Sequence, residues 1–287
     1  MSRNLLIRVA FAVPAIALTV LVLRLGGWWL ALVLAVLGML GAWEVYGLAR
    51  RQGIAPLAEL GYVAAAAIPF GALAGARGEA ATWASAALYA GVFGLLLLLV
   101  AAMFVRGSGG RPLTAVAVTL FGALYAAAPL AFLVVIRHGG SSDREPASYF
   151  LLTMLPLALT WICDTAAYGV GTTLGGPKLA PVLSPHKTWS GAIGGLAGAL
   201  AGSVVLGLLV LNGAGWRFGI WQLLGVGLVV GVIGQAGDVA ESLLKREAGV
   251  KDSSTLVPGH GGVLDRLDSL YFVIPASAAL FELYGVI

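Results

Sequence analysis

Residues 81 to 104 read ATWASAALYAGVFGLLLLLVAAMF, an apolar run without one charged side chain. A hydrocarbon core about 30 Å thick is spanned by about 20 helical residues, so this run alone is long enough to cross a bilayer. Eight more follow the same reading, approximately Val9 to Leu23, Gly27 to Trp43, Leu57 to Gly75, Leu113 to Ile136, Ser148 to Val170, Ser190 to Leu211, Phe218 to Ala240 and Ser269 to Ile287. Composition agrees: 60% of residues are apolar and 10% charged, against roughly 45–50% and about 25% in soluble domains, and the mean hydropathy is +0.96. A backbone in lipid satisfies its own hydrogen bonds as helices or as a closed barrel, and a barrel would show alternating segments of about 10 residues. The expected fold is therefore all-α, a polytopic integral membrane bundle of about nine transmembrane helices. We read 1–287 as a single membrane domain, with 1–136 mainly scaffold and 148–287 carrying the chemistry.

Lysine and arginine set the expected orientation. With the N-terminus in the cytoplasm, that face holds Arg3, Arg8, Arg50, Arg51, Arg106, Arg111, Lys178, Lys187, Lys245, Arg246, Lys251 and Arg266, and the other face holds Arg24, Arg77, Arg137, Arg144 and Arg217. This asymmetry follows the positive-inside bias and predicts a multi-pass protein of the inner (cytoplasmic) membrane. The first helix is read as uncleaved, because Ala10-Phe11-Ala12 precedes any complete hydrophobic region. The net charge of +4 suits anionic headgroups or nucleotide phosphates; no basic run points to nucleic acid. The single cysteine, Cys163, excludes an intrachain disulfide and reads as a small buried hydrophobe.

Charge gathers late in the chain. Asp238 to Asp268 carries Asp238, Glu241, Lys245, Arg246, Glu247, Lys251, Asp252, Asp265, Arg266 and Asp268 in an otherwise apolar protein. If helix eight continues past the membrane, Asp238, Ser242 and Lys245 share one stripe; the alternative is an ordinary helix end with a solvated Glu241/Lys245 pair. In VPGHGGVLDRLD (257–268) the glycines permit a tight path, and Asp265 and Asp268 fall three apart. Such a carboxylate pair wants a cation, and Mg²⁺ takes one or two carboxylates and completes its shell with water and phosphate oxygens. His260 could bind phosphate, shuttle a proton or cap a turn. LSPHKTWSG (183–191) offers Lys187, Thr188 and Ser190 near a helix start, either an anion site or a positive-inside anchor. Asp164, in WICDTAAYG, is an ionisable group at membrane depth and so a functional candidate. GTTLGGPK (171–178) is not a phosphate-binding loop, since Pro177 parts Gly176 from Lys178. In helix seven, Gly191/Gly195, Gly194/Gly198 and Gly198/Gly202 sit four apart, a spacing for close helix packing within the subunit or between two.

The run SLLKREAGVKDSSTLVPGHGGVLDRLD (242–268) resembles the signature of the phosphatidate cytidylyltransferase (CDP-diacylglycerol synthase) family. Ser-x-x-Lys-Arg, Lys-Asp, Pro-Gly-His-Gly-Gly and Asp-Arg-x-Asp follow in that order, supported by DTAAYGVG (164–171) and SPHKT (184–188). The resemblance covers the C-terminal half. It implies a helical membrane homodimer joining CTP to phosphatidic acid, with release of pyrophosphate and formation of CDP-diacylglycerol, and Mg²⁺ beside a second cation. It implies metal carboxylates at Asp238, Asp265 and Asp268. Lys245, Arg246 and Lys251 join these as catalytic residues, and Ser184, Lys187, Thr188, Ser242, His260, Arg266 and Asp164 as substrate-binding ones. Ser190 stands where relatives usually carry Glu, and Ser254 where Gly is common. The rival reading is a secondary transporter or ion channel using Asp164 and Asp238.

Overall fold

The computed structural model describes residues 3–78, 80–140, 145–256 and 261–287, including the side chains of all these except 3–12 and 80–83. It is helical almost throughout. Helices α1 (Arg3–Leu25), α2 (Gly27–Arg51), α3 (Ala58–Arg77), α4 (Ala80–Val105) and α5 (Pro112–His138) are followed by α6 (Pro146–Leu174). A hairpin of β1 (Lys178–Ala180) and β2 (Ser184–Thr188) leads into α7 (Trp189–Leu206), and α8 (Ile220–Glu247), α9 (Leu264–Leu267) and α10 (Leu270–Leu283) complete the chain. Among the described residues seven helices are long and apolar enough to cross a membrane. This bears out a polytopic helical membrane protein. The expected count of about nine included the first and last helices, and α10 has only 14 residues, about 21 Å at 1.5 Å per residue.

The chain divides into two compact units, Met1–His138 with Glu247–Arg266, and Gly139–Arg246 with Leu267–Ile287. The polar segment after α8 thus groups with the N-terminal helices, whereas the sequence division placed it with the C-terminal ones.

In the N-terminal unit α2, α3 and α5 pack on one another. Tyr46, fully buried, occupies the space left by Gly61 on α3 and Gly122 on α5, where any Cβ would overlap its ring. Its hydroxyl donates to Thr119 O at 2.7 Å, and the Thr119 hydroxyl in turn accepts from Leu57 N at 2.8 Å. A phenol is acceptable inside an apolar core because its O–H finds this carbonyl. The α1–α2 turn uses Gly26 and Gly27 at positive φ, and Gly27 N donates to His138 Nε2 at 2.7 Å. On α4, Leu88, Phe93, Leu97 and Phe104 are exposed, as lipid-facing side chains of a membrane helix are.

In the C-terminal unit the α7 glycines face α6. A Cβ at Gly195 would lie 3.0 Å from Ala167 Cβ and 3.1 Å from Cys163 O, and one at Gly198 would lie 2.7 Å from Ala166 Cβ. The glycine stripe therefore packs within the subunit, against the helix that carries the buried Cys163 thiol. On the α8 side, a Cβ at Gly227 would meet Ala199 O at 2.8 Å and one at Gly231 would meet Leu196 Cα at 3.1 Å. Helix backbones approach this closely only where side chains are absent. The α7 helix ends in a π turn, Gly207–Leu211, and Trp216 Nε1 donates to Ser148 O at 3.1 Å, tying the α7–α8 connection to the start of α6. The hairpin was not expected from the sequence, where 171–188 reads as a polar connection. Its register pairs Lys178 with Thr188 and Ala180 with Ser184.

Gly195→Val should lower the melting temperature in detergent by several degrees, as overpacking costs about 1–3 kcal/mol. Gly91→Ala, with nothing near its Cβ position, should leave it unchanged or raise it, since Ala favours helix by about 1 kcal/mol.

Candidate active site

Four parts of the C-terminal unit bring charge together: Lys187 at the end of β2, Asp238, Glu241 and Lys245 on α8, Asp268 just before α10, and Asp164 on α6. Lys187 Nζ lies 2.7 Å from Asp238 Oδ2. Gly237 makes the neighbouring approach possible, since a Cβ there would lie 2.9 Å from Asp268 O and 2.8 Å from the Phe272 ring. The chain entering α10 consequently rests on the α8 backbone. Burial first, and then the charge of Asp238, pushes the Asp268 carboxyl up to about 7, with a smaller push from Asp164. The Ser269 backbone N–H, which donates to Asp268 Oδ1 at 2.7 Å, and Lys245 act in the opposite direction.

The α8 stripe is partly as spacing predicts. Ser242 and Lys245 are both buried, and Lys245 Nζ lies 3.1 Å from Glu241 Oε1 in an (i, i+4) pair whose carboxylate is fully buried. The alternative of a solvated Glu241/Lys245 pair is corrected, because Glu241 is fully buried and Lys245 nearly so. Arg246 is exposed, and its Nε donates to Leu183 O at 3.3 Å in the hairpin turn. Ser184 opens β2 and is half-buried. Thr188 is the N-cap of α7, accepting from Gly191 N at 3.1 Å, which satisfies one of the orphan donors of a helix start. Its hydroxyl also lies 3.0 Å from that of Ser190, which donates to Gly175 O. The start of α7 is thus occupied by its own caps, and Lys187 is the group beside it that carries positive charge.

The signature segment forms a second cluster, within the N-terminal unit. Lys251 and Arg266 are exposed, while Asp265 is buried. Asp265 Oδ2 accepts from Ser253 N, Ser253 Oγ and Gly262 N, each at 2.8 Å. Gly261 takes φ 83°, and a Cβ there would lie 2.7 Å from Asp265 Oδ2, so the glycines serve the tight path expected of them. His260 lies outside the described residues. The unexpected member is Glu44 of α2, which is 1% exposed. Its carboxylate accepts from Ser254 Oγ at 2.7 Å, Val263 N and Leu264 N at 2.8 Å, and Ser253 Oγ at 2.9 Å. Helix two, expected to end near Trp43, continues through Glu44 to Arg51. The signal of Glu44 was available, since a lone carboxylate against an apolar run is by default functional.

Among the described residues no group of three or more His, Cys, Asp or Glu is set to hold a metal ion. Asp238 and Asp268 could hold a cation: burial, and after it the charge of Asp238, push the Asp268 carboxyl up, and carboxylates are the hard oxygen donors that Mg²⁺ takes.

Fold and site together define a polytopic helical membrane protein with a carboxylate and ammonium cluster suited to phosphate chemistry. The chain belongs to the cytidylyltransferase family, whose sequence model matches residues 6–284. It is similar to the phosphatidate cytidylyltransferase of Brucella suis biovar 1 (strain 1330), 49% identical over 143 residues, which cover 50% of this chain and 49% of the relative. That of Staphylococcus aureus (strain COL) is 45% identical over 131 residues, covering 46% of this chain and 48% of the relative. The chain spans about half the length of the curated relatives it matches.

With divalent cations chelated, the folded protein keeps a proton on Asp268 below about pH 7, whereas the unfolded chain loses it near 3.8. Stability should therefore fall as pH rises through that window and level off above about 7. Thermal melts across the window should show this slope, and Asp268→Asn should flatten it. Lys245→Met should cost about 3–5 kcal/mol by leaving the buried Glu241 without its ammonium, and adding Glu241→Leu should restore most of the loss.

Proposed function

We propose that this protein is a phosphatidate cytidylyltransferase, converting CTP and phosphatidic acid to CDP-diacylglycerol and pyrophosphate in phospholipid biosynthesis. The observation that carries the reading is the cluster of Lys187, Asp238, Lys245 and Asp268 in a chain of the cytidylyltransferase family. In the reaction a phosphate oxygen of phosphatidate attacks the α-phosphorus of CTP, forming a P–O bond as the bond to pyrophosphate breaks. Two polyanions must be aligned and their charge neutralised, and that supplies most of the catalysis.

Each residue has a part in this proposal. Lys187, drawn close by Asp238, and Lys245, held by Glu241, are fixed cations for phosphate oxygens. Arg246, Lys251 and Arg266 are exposed cations that complete the nucleotide contacts, with Ser184, Ser242, Thr188, Asp164 and His260 as proposed substrate contacts. Asp238 and Asp268 would hold Mg²⁺, and the Asp-Arg-x-Asp pattern adds Asp265 as a proposed third carboxylate. When bound, the metal supplies charge neutralisation on the phosphates and the leaving group; a second cation remains part of the proposal. An apolar groove of about 570 Å³ in the C-terminal unit, lined by Leu183, Trp189, Ile193, Val232 and Val239 among others, supports a lipid co-substrate, because Val239 adjoins Asp238 and Trp189 lies two residues from Lys187.

We further propose an inner-membrane protein with the N-terminus and site cytoplasmic, supported by the lysine and arginine asymmetry. The proposed homodimer uses a surface other than the α7 glycine face that α6 covers. The transporter reading is not favoured, since Asp238 is engaged by Lys187 and the family is one of cytidylyltransferases.

Purified protein in mixed micelles should form CDP-diacylglycerol from labelled CTP and phosphatidate only when Mg²⁺ is supplied. Asp238→Asn and Asp268→Asn should each lower kcat by about 10²–10³-fold, the usual cost of removing an electrostatic group from a charged transition state. Loss of Asp265 by Asp265→Asn should abolish turnover with the fold retained, and near wild-type activity in that variant would remove it from the metal set. Ion flux across vesicles without CTP consumption would favour the transporter.

A further inference from the structure

Glu44 has no place in the chemistry derived above, yet four donors lie within hydrogen-bond distance of its buried carboxylate. It sits on α2, far in sequence from the segment it binds, and both oxygens are engaged: Oε1 by Ser254 Oγ and Val263 N, Oε2 by Ser253 Oγ and Leu264 N. We infer that Glu44 is a positioning residue, a membrane-helix carboxylate that ties residues 253–254 to residues 263–264 of the signature run and thereby sets the Asp265 carboxylate in place.

Several observations support this role. Donors from residues 253–254 and from 263–264 converge on one carboxylate, so a single side chain ties these two stretches together. The link to Asp265 runs through one residue: Ser253 Oγ lies 2.9 Å from Glu44 Oε2 and 2.8 Å from Asp265 Oδ2. A hydroxyl has one proton, so it serves one carboxylate at a time, while Ser253 N holds Asp265 throughout at 2.8 Å. Space is matched to the clamp, because a Cβ at Gly262 would overlap Ser253 Oγ and lie 2.6 Å from Glu44 Cδ. Ser254 donates one of the bonds that hold Glu44. Every group facing the carboxylate in these bonds can act as a donor, so an acceptor-only side chain is required. The amide of Gln keeps the volume but turns an N–H toward a backbone N–H at 263 or 264, which cannot reverse.

The test uses the full chain in detergent with lipid, comparing wild type, Glu44→Gln, Glu44→Asp, Ser253→Ala and Ser254→Gly. Amide hydrogen exchange is followed in peptides covering 261–268 and in those of α2, α3 and α5. Glu44→Gln should speed exchange at 263–266 by about tenfold or more, the loss of roughly one charged hydrogen bond, and leave the helix peptides unchanged. Ser254→Gly should give a smaller rise, and Glu44→Asp, one methylene short of the segment, should resemble Glu44→Gln. The kinetic half rests on the proposed activity: kcat should fall about 10–100-fold, as for a misplaced reacting group, while KM for CTP stays within about threefold. Unchanged exchange at 263–266 in Glu44→Gln overturns the clamp. Faster exchange spread through α2, α3 and α5 also overturns it, leaving Glu44 a general stabiliser. If Glu44→Gln does not fold, Ser253→Ala and Ser254→Gly decide the matter by the same local exchange. A wild type without CTP turnover would sink the proposed function and leave the exchange comparison as the measure of the clamp.

Discussion

A carboxylate or ammonium removed from water loses several kcal/mol of hydration unless partners replace it, and this protein, with 60% apolar residues, has little water to offer. Several buried or half-buried charges among the described residues accordingly have neutralising groups beside them. Glu241 has Lys245 one helical turn away, Asp238 has Lys187, and Glu44 has two hydroxyls and two backbone amides. Asp268 is the contrasting case, since burial and Asp238 outweigh the help it receives from Ser269 and Lys245. That shortfall of positive charge beside Asp238 is what the proposed cation would offset.

Close backbone approach lets these charges meet. On α8, Gly227 and Gly231 admit α7, and Gly237 admits the chain at Asp268. Gly237 thus brings the chain at Asp268 against α8 next to Asp238. In the N-terminal unit, Gly61 and Gly122 accommodate Tyr46 two residues from Glu44, fixing the height of α2 at which the clamp operates. Small residues in this protein determine where polar ones are placed, in the way close membrane-helix packing generally does.

Much of this was legible beforehand. Apolar run length gave the helices, because the hydrocarbon thickness fixes it. The stripe of Asp238, Ser242 and Lys245 followed from helical period, and α8 does continue through them to Glu247. Spacing could not show a partner far along the chain: Glu44, just past the approximate end of the second apolar run, is bonded by residues 253, 254, 263 and 264. Thr188 and Ser190, read with Lys187 as an anion site or an anchor, also cap and fasten α7. Of the two readings of Glu241 and Lys245, burial removes the solvated one.

The sequence by itself determined the solvent, the helical class and the residues with chemistry to offer, since hydropathy, period and motif order are local properties of the chain. Only the tertiary structure decided which of those residues meet: Lys187 with Asp238 across 51 positions, and Glu44 with Leu264 across 220. The reason is physical. A buried charge is stabilised by whichever donors packing brings within about 3 Å, and that is a property of helix contacts that no stretch of sequence contains.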